Sequence, residues 1–340
     1  MKLKKEIQQM TSDTIIGTAR KAAWHKAGVA VEATSASEVA SQAGLDWSVS
    51  LHDITATYTV PGENGMNMVK DYIPVENKKA VIKTTPYGQT SAIGVVGNRY
   101  KVFQNAEIFG ALDNLIDSGG MRYAAAGEYD GGGKVWMLME TPMEMTIAND
   151  PHAAFLLAKT SHDGSSSVII RPIIERLFCM NQINKIYKGK NKYTYQLSHT
   201  TNAQLSISEI RNIIQLSYDM ATDYTALADT LLSKEASHEH AKNYFKRVFP
   251  LPTKIEEVRY DLLSTGEKKQ YTRAIQARET AFNIYAASPT QENIRGTEFG
   301  MWQAVIEWAD YNAKGKNLAL RAISGASDNI KTRALELLGV

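Results

Sequence analysis

The spacing of apolar residues changes once along this chain, close to residue 200, and that change restricts its fold more than any other feature. Before it, apolar and polar positions alternate, which is the period of a half-buried strand. Trp47, Val49, Leu51, Ile54, Ala56 and Tyr58 form one such series, with a slip of phase at His52-Asp53 that reads as a bulge or a turn. Residues 79–85 and 92–103 read as further strands around Pro86-Tyr87-Gly88, and Pro61-Gly62-Glu63-Asn64-Gly65 reads as a turn. Residues 121–128 and 134–140 flank Tyr129-Asp130-Gly131-Gly132-Gly133, a hairpin signature. Residues 155–161 and 167–174 form another pair around His162-Asp163-Gly164-Ser165. Beyond residue 202 the period becomes helical. Leu205, Ile210, Ile213, Ile214, Tyr218, Ala221, Tyr224, Leu227, Ala228 and Leu231 mark one helix of roughly 30 residues. Shorter helices are expected at 236–249, 267–287, 296–312 and 326–338, with Pro250 and Pro252 breaking between the first two.

Two helices interrupt the strand-rich part. Residues 35–43 follow a Thr34 or Ser35 cap, carry Glu38 in the first turn and meet Gly44 at the end. Asn105 is the expected cap of a second helix, through Ile108, Phe109, Leu112, Leu115 and Ile116 to Gly119-Gly120. The expected class is therefore α+β: an antiparallel strand-rich N-terminal half with β-hairpins and one packed helix, followed by a helical C-terminal half. Residues 1–33 read as an N-terminal arm, 34–201 as a strand-rich α+β core domain and 202–340 as a helical region.

Composition excludes several classes. A single cysteine, Cys179, rules out an intramolecular disulfide and any multi-cysteine metal site, and suits a reducing cytosol. No run approaches the roughly 20 apolar residues needed to span a bilayer. The basic start, Met-Lys-Leu-Lys-Lys, has no apolar run behind it, so it does not read as a secretion signal. The expectation is a cytoplasmic protein of a bacterial host cell, with no membrane partner. A net charge of only +2 argues against a protein that coats nucleic acid in bulk, but leaves room for a local basic groove.

The charge is concentrated. Between Ile183 and Tyr195 four lysines (Lys185, Lys188, Lys190, Lys192) alternate with Tyr187, Tyr193 and Tyr195, and no acid interrupts them. From 165 to 200, with Arg171 and Arg176 added, six basic residues face one acid, Glu175. Lysines neutralise phosphates and release counterions, while flat aromatic faces stack on unpaired bases. The same residues would also make a solvated hairpin tipped by Lys-Gly-Lys-Asn, since tyrosine suits strands. A second basic-aromatic string, Asn98-Arg99-Tyr100-Lys101, is expected on a strand, and a third, at 242–247, on a helix.

Other chemistry is weakly supported. Gly131-Gly132-Gly133 sits in a hairpin, not at a strand-to-helix turn, and Gly94-Val-Val-Gly97 lacks a third glycine at nucleotide-site spacing. The seven histidines are scattered. Glu307 and Asp310 share a helix face at i,i+3 and suit a divalent metal, but such pairs are more often solvated. Trp302, Trp308 and Phe299 read as core, with a subunit interface as the alternative. No catalytic residue, metal ligand or cofactor is expected.

Several strings resemble a phage/plasmid-like family classed as a domain of unknown function (number 932). They are Trp24-His25-Lys26-Ala27-Gly28, Gly94-Val-Val-Gly97-Asn98-Arg99-Tyr100 leading to Gln104-Asn105, Cys179-Met180-Asn181-Gln182, His199-Thr200, and Arg295-Gly296-Thr297 with Ala304 and Asp310. The resemblance runs from about residue 20 to 338. It implies a mobile-element origin but no particular chemistry, and the lysine-tyrosine stretch is richer than the family pattern. The order of strands, helix, hairpin and helices is also similar, at the level of topology, to phage single-strand annealing proteins of the Red-beta and Rad type.

The leading expectation is a phage- or plasmid-encoded, oligomeric protein that binds single-stranded DNA for annealing, recombination or replication, with duplex DNA as the other candidate. Arg99, Lys101, Arg171, Arg176, Lys185, Lys188, Lys190 and Lys192 would meet phosphates, and Tyr187 and Tyr193 would stack on bases. The alternative is a protein-binding module that targets a host defence or replication factor through its helical half. A metal-dependent hydrolase ranks last.

Overall fold

The computed structural model describes residues 28–61, 68–176, 179–181, 193–197, 207–251, 260–313, 321 and 325–340. Antiparallel sheets occupy the N-terminal half and helices the C-terminal half, the α+β arrangement expected from the change of period. Within the expected arm lies β1 (Val29–Ala30), which pairs with the second meander. The helix α1 (Ala36–Gln42) is capped by Ser35, whose hydroxyl accepts from the Glu38 N–H at 3.3 Å, and Gly44 leaves it with φ +66. Next come β2 (Ser48–Pro61), β3 (Met68–Thr84) and β4 (Thr90–Gly97), a three-stranded antiparallel meander. The slip of phase at His52-Asp53 is a bulge, between Asp53 and Thr55. The turn expected at 61–65 lies, after Pro61, outside the described residues.

In α2 (Asn105–Gly119) the cap is Gln104 rather than Asn105. Glu107 turns back and its carboxylate accepts from the Gln104 N–H at 2.6 Å. Asn105 is engaged elsewhere. Its amide donates to the Leu45 carbonyl at 2.9 Å, and its oxygen lies 2.9 Å from His162 Nε2. One buried side chain thus ties the helix start to the chain before β2 and to a distant turn.

A second meander follows: β5 (Arg122–Tyr129), β6 (Lys134–Ile147), β7 (Asp150–Ser161) and β8 (Val168–Arg176). The β6–β7 turn is Ala148-Asn149, both at positive φ (51 and 62), the mirror-image geometry that matches strand twist. Two short strands, β9 (Cys179–Asn181) and β10 (Tyr195–Leu197), both pair with β8, and the order is β1-β5-β6-β7-β8-β10 with β9 also on β8. The helical half is α3 (Ile207–Leu232), α4 (His238–Val248), α5 (Thr265–Ala287), α6 (Glu298–Glu307), which runs into a π-turn at Trp308–Asn312, and α7 (Asp328–Glu336).

The sheet is buried on both faces, which explains why β6 reads Val-Trp-Met-Leu-Met without polar breaks. Val135, Met137 and Met139 join α1, α2 and Ile213 of α3 in one core. Trp136 and Leu138 point the other way, with Phe155, Leu157 and Ile173. A further core gathers Tyr224 and Leu231 of α3, Phe245 of α4, Tyr285 of α5 and Phe299 and Trp302 of α6. The helix α3 contributes to both large cores, and the expected boundary at 201/202 lies outside the described residues. Trp302 is core, as its spacing suggests, and Trp308 packs edge-on against Phe249 with ring centres 4.6 Å apart. Among the described residues no helix is long and apolar enough to cross a membrane.

Candidate nucleic-acid interface

The lysine-tyrosine stretch is held at both ends by one strand. Asn181 of β9 sits opposite Ile174 of β8, and Tyr195 of β10 sits opposite Ile170. These partners are four residue steps apart, so the anchors lie roughly 14 Å apart along β8. Residues 182–192, with Lys185, Tyr187, Lys188, Lys190 and Lys192, lie outside the described residues. On the return, the Tyr193 hydroxyl donates to Asp223 and the Tyr195 hydroxyl to Glu209, both on α3. The described residues on either side of the stretch thus lie along β8, with Tyr193 and Tyr195 also bonded to α3.

Three expected contact residues are placed in the interior. Tyr193 is 1% exposed and belongs to the helical core, so its ring is not a surface platform for a base. Arg176 is 2% exposed, forms an ion pair with Asp150, and donates to the Thr290 carbonyl at 2.8 Å. Arg171 is buried beside Asp328, at 3.4 Å. The physical reason is the strand itself: Val168 and residues 170–176 are all buried, so charges on β8 are neutralised by acids from elsewhere in the chain instead of facing water. The signal was in the sequence, because Val-Ile-Ile-Arg-Pro-Ile-Ile-Glu-Arg is too continuously apolar for a half-solvated strand.

Arg99 and Lys101 are exposed, in the turn after β4 rather than on a strand. Between them the Tyr100 hydroxyl donates to the Ser161 carbonyl at 2.9 Å, which fixes this turn against the β7–β8 turn. Burial pushes the Tyr100 phenol well above its ordinary value, so it stays a donor at neutral pH. The close approach uses Gly94, where a Cβ would stand 2.5 Å from the Asp163 Cα. Within the Gly94-Val-Val-Gly97 string that role belongs to Gly94 alone, since a Cβ at Gly97 would meet nothing. The third basic string lies on α4, which packs against α5 and α7 in the helical layer.

A pocket near the β7–β8 turn was not visible in the sequence. Its volume is about 230 Å³ and it is lined by Tyr129, Lys134, Lys159, Thr160, Ser165 and Ser166. These residues come from the ends of β5, β6 and β7 and from the turn after β7, so only strand register brings them together.

The interior between sheet and helices carries a polar network. Besides Arg176, the Asp150 carboxylate accepts from the Asn293 amide at 2.6 Å. Thr290 donates to Glu307 at 2.5 Å, and Asp310 pairs with Lys331 at 2.6 Å, both ends nearly solvent-free. Glu307 therefore accepts from an internal hydroxyl and Asp310 neutralises an internal lysine, and no group of three or more metal-ligating side chains occurs among the described residues.

His152 sits in this network, its Nδ1 donating to the Asp150 carbonyl at 3.0 Å. Burial, reinforced by the Arg176 charge, holds its pKa down at about 4, although the bond to Asp150 pulls upward. A histidine depressed in the fold is favoured neutral. Its contribution is complete above the unfolded value, about 6.5, and is lost as pH falls from there towards about 4. We expect His152→Gln to flatten the stability profile between pH 6.5 and 4 by up to about 3 kcal/mol relative to wild type. Urea midpoints across that range check it, and parallel profiles would contradict it.

Residues 92–335 match the family model described as Domain of unknown function (DUF932), a span from β4 to α7 that takes in the lysine-tyrosine stretch, the pocket and the helical layer. No curated protein and no solved structure matches the chain. The expected likeness to annealing proteins has no matching structure behind it.

Proposed function

Because this chain belongs to the DUF932 family, which is defined without an assigned function, its chemistry has to be read from its own residues, and we propose that it binds single-stranded DNA through the basic edge beside β8. The observation that carries this is the charge of the 182–192 stretch. With Arg171, Arg176 and Glu175 drawn into the interior, the window's remaining charge is that of Lys185, Lys188, Lys190 and Lys192, with no acid from 182 to 195. In a chain of net charge +2 such an acid-free run is a local concentration of phosphate affinity. Tyr187 supplies a face for an unpaired base, and Arg99 and Lys101 extend the basic surface past the β7–β8 turn. The protein acts as an oligomer in annealing, recombination or replication of a phage or plasmid, inside the host cytoplasm.

Fluorescence anisotropy with labelled single-stranded and duplex oligonucleotides, with particle mass measured on the same samples, tests the proposal. The expected outcome is tighter binding to the single strand and a rise in particle mass. Equal affinity for the duplex would overturn the strand preference, and unchanged mass the oligomer.

A second reading, a protein-binding module aimed at a host factor, draws support from a different surface than the helical half. Along the β2–β3 hairpin Tyr58, Tyr72, Ile73 and Val75 are exposed, Tyr72 to 61%. A stoichiometric host partner lost on Tyr72→Ser with Ile73→Ser would favour it.

A further inference from the structure

Beyond its contact with β4, the β2–β3 hairpin is a two-stranded ribbon. The strand β4 pairs with β3 only between Lys78 and Thr84, so Thr55–Pro61 and Met68–Pro74 face each other with no third strand among the described residues. Thr55 to Thr59 are all exposed. Such a ribbon is marginal in water by itself, and a third strand or a packed partner ordinarily secures it.

Its two edges are not alike. Thr55 stands opposite Pro74, which has no N–H to give, so theirs is a non-hydrogen-bonded pair. By alternation the same holds for Thr57 with Tyr72 and for Thr59 with Lys70, and all of these residues turn their backbone groups to the outer edges. The β3 edge is blunted. Pro74 has no donor, the Tyr72 N–H bonds the Asp71 carboxylate at 2.8 Å, and Lys70 carries a charge. Near its start the β2 edge is closed as well, because the Gln104 amide accepts from the Val49 N–H and donates to its C=O, both at 2.9 Å. From Thr55 to Val60 the β2 edge has no charge, no proline and no bulge. No hydrogen bond to the outward groups of Thr55, Thr57 and Thr59 occurs among the described residues.

We propose that this open edge pairs antiparallel with the same edge of a second copy of the chain, about a two-fold axis at Thr57. The inference rests on the oligomeric part of the proposed function and takes nothing from the DNA site. The sequence Thr55-Ala-Thr-Tyr-Thr59 selects the occupant, because its outward positions read the same in both directions. A two-fold at Thr57 sets Thr57 against its own copy, and Thr55 of each copy against Thr59 of the other, so every outward N–H meets a C=O. Threonine pairs across strands are favourable. The nearest charge, Asp53, falls opposite Pro61 of the other copy and meets no like charge. On the other face Tyr58 of one copy comes beside Ala56 of the other, one strand away from the exposed Ile73. The product is a four-stranded sheet with the blunted β3 at both outer edges. A contact of this size lies at the small end of specific interfaces, so association is expected at micromolar concentrations.

Sedimentation velocity of the full chain without DNA, from about 1 to about 100 µM, tests the pairing. Wild type is expected to pass from monomer to dimer over that range. Thr57→Lys sets two like charges against each other on the axis, and Thr57→Glu does the same with the opposite sign. Each variant alone is expected to stay monomeric, with its thermal unfolding at low concentration unchanged because the position is exposed. An equimolar mixture of the two is expected to regain the dimer, which a folding defect would not allow. A wild type that stays monomeric throughout overturns the pairing and leaves the edge to a strand from another protein. A dimer that survives in both variants overturns this interface and leaves an oligomer built elsewhere. A dimer lost in both and not regained in the mixture overturns the two-fold at Thr57. Loss in each variant with recovery in the mixture upholds the interface whether or not the protein binds DNA, and a failure to bind DNA would then overturn the DNA reading alone.

Discussion

Replacing Arg176 by methionine is expected to destabilise the protein by about 3–5 kcal/mol while leaving no specific defect in DNA binding by the molecules that remain folded. Arg176 sits at the end of β8, where its guanidinium pairs with Asp150 and donates to the Thr290 carbonyl. Asp150 in turn holds the Asn293 amide. The arginine thus joins the sheet to the chain before α6, at a point where water has little access. Methionine fills similar volume but leaves the Asp150 charge with one donor fewer and the Thr290 carbonyl without its guanidinium. The cost comes mainly from the charge left behind, so adding Asp150→Leu to Arg176→Met is expected to recover part of the loss. Urea denaturation of the two single variants and the double variant measures this. Unchanged stability together with weakened DNA binding would return Arg176 to the surface role that its sequence context suggests.

The second large effect concerns the four lysines. Changing Lys185, Lys188, Lys190 and Lys192 together to glutamine is expected to weaken single-strand binding several hundred-fold at about 0.1 M salt, because each lost contact removes a factor of about 5 there. The loss should be the same for every base sequence, since phosphate contacts carry no sequence information. The slope of log affinity against log salt should fall by about 2.8, at about 0.7 per contact. Stability should hardly change, because these residues follow β9 and precede Tyr193, whose burial already fixes the return. A variant that binds as tightly as the parent would move the interface elsewhere on the chain. Tyr187→Ala separates stacking from charge. It is expected to cost about 1–3 kcal/mol without altering the salt slope.

How much of this was legible in the sequence differs by element. Where local chemistry decides, the residues spoke clearly: the Ser35 cap, the bulge near Asp53, the hairpins around 129–133 and 162–165, and the 3.6-residue stripe of α3 all appear near their expected places. Where a residue's role is set by a distant partner, local reading failed. Asn105 reads as a cap from its neighbours, yet its side chain is engaged by Leu45 and His162. Glu307 and Asp310 read as a solvated helix face rather than a metal pair, yet they are buried, with Thr290 and Lys331 beside them. Arg171 and Arg176 were counted with a basic stretch because charge was summed along the chain, while their acids, Asp328 and Asp150, lie far away in sequence. The Lys134–Lys159 pocket depends on strand register, and register between strands is a property of the sheet, not of any one segment.

Titration of the wild-type protein with a labelled single strand over a range of salt concentrations, beside the four-lysine variant, tests the central claim most directly. The account predicts salt-sensitive binding whose slope is about 2.8 steeper in the parent than in the variant. Binding that ignores salt, or no binding at the lowest salt used, would contradict it and turn attention to the exposed β2–β3 hairpin and a protein partner.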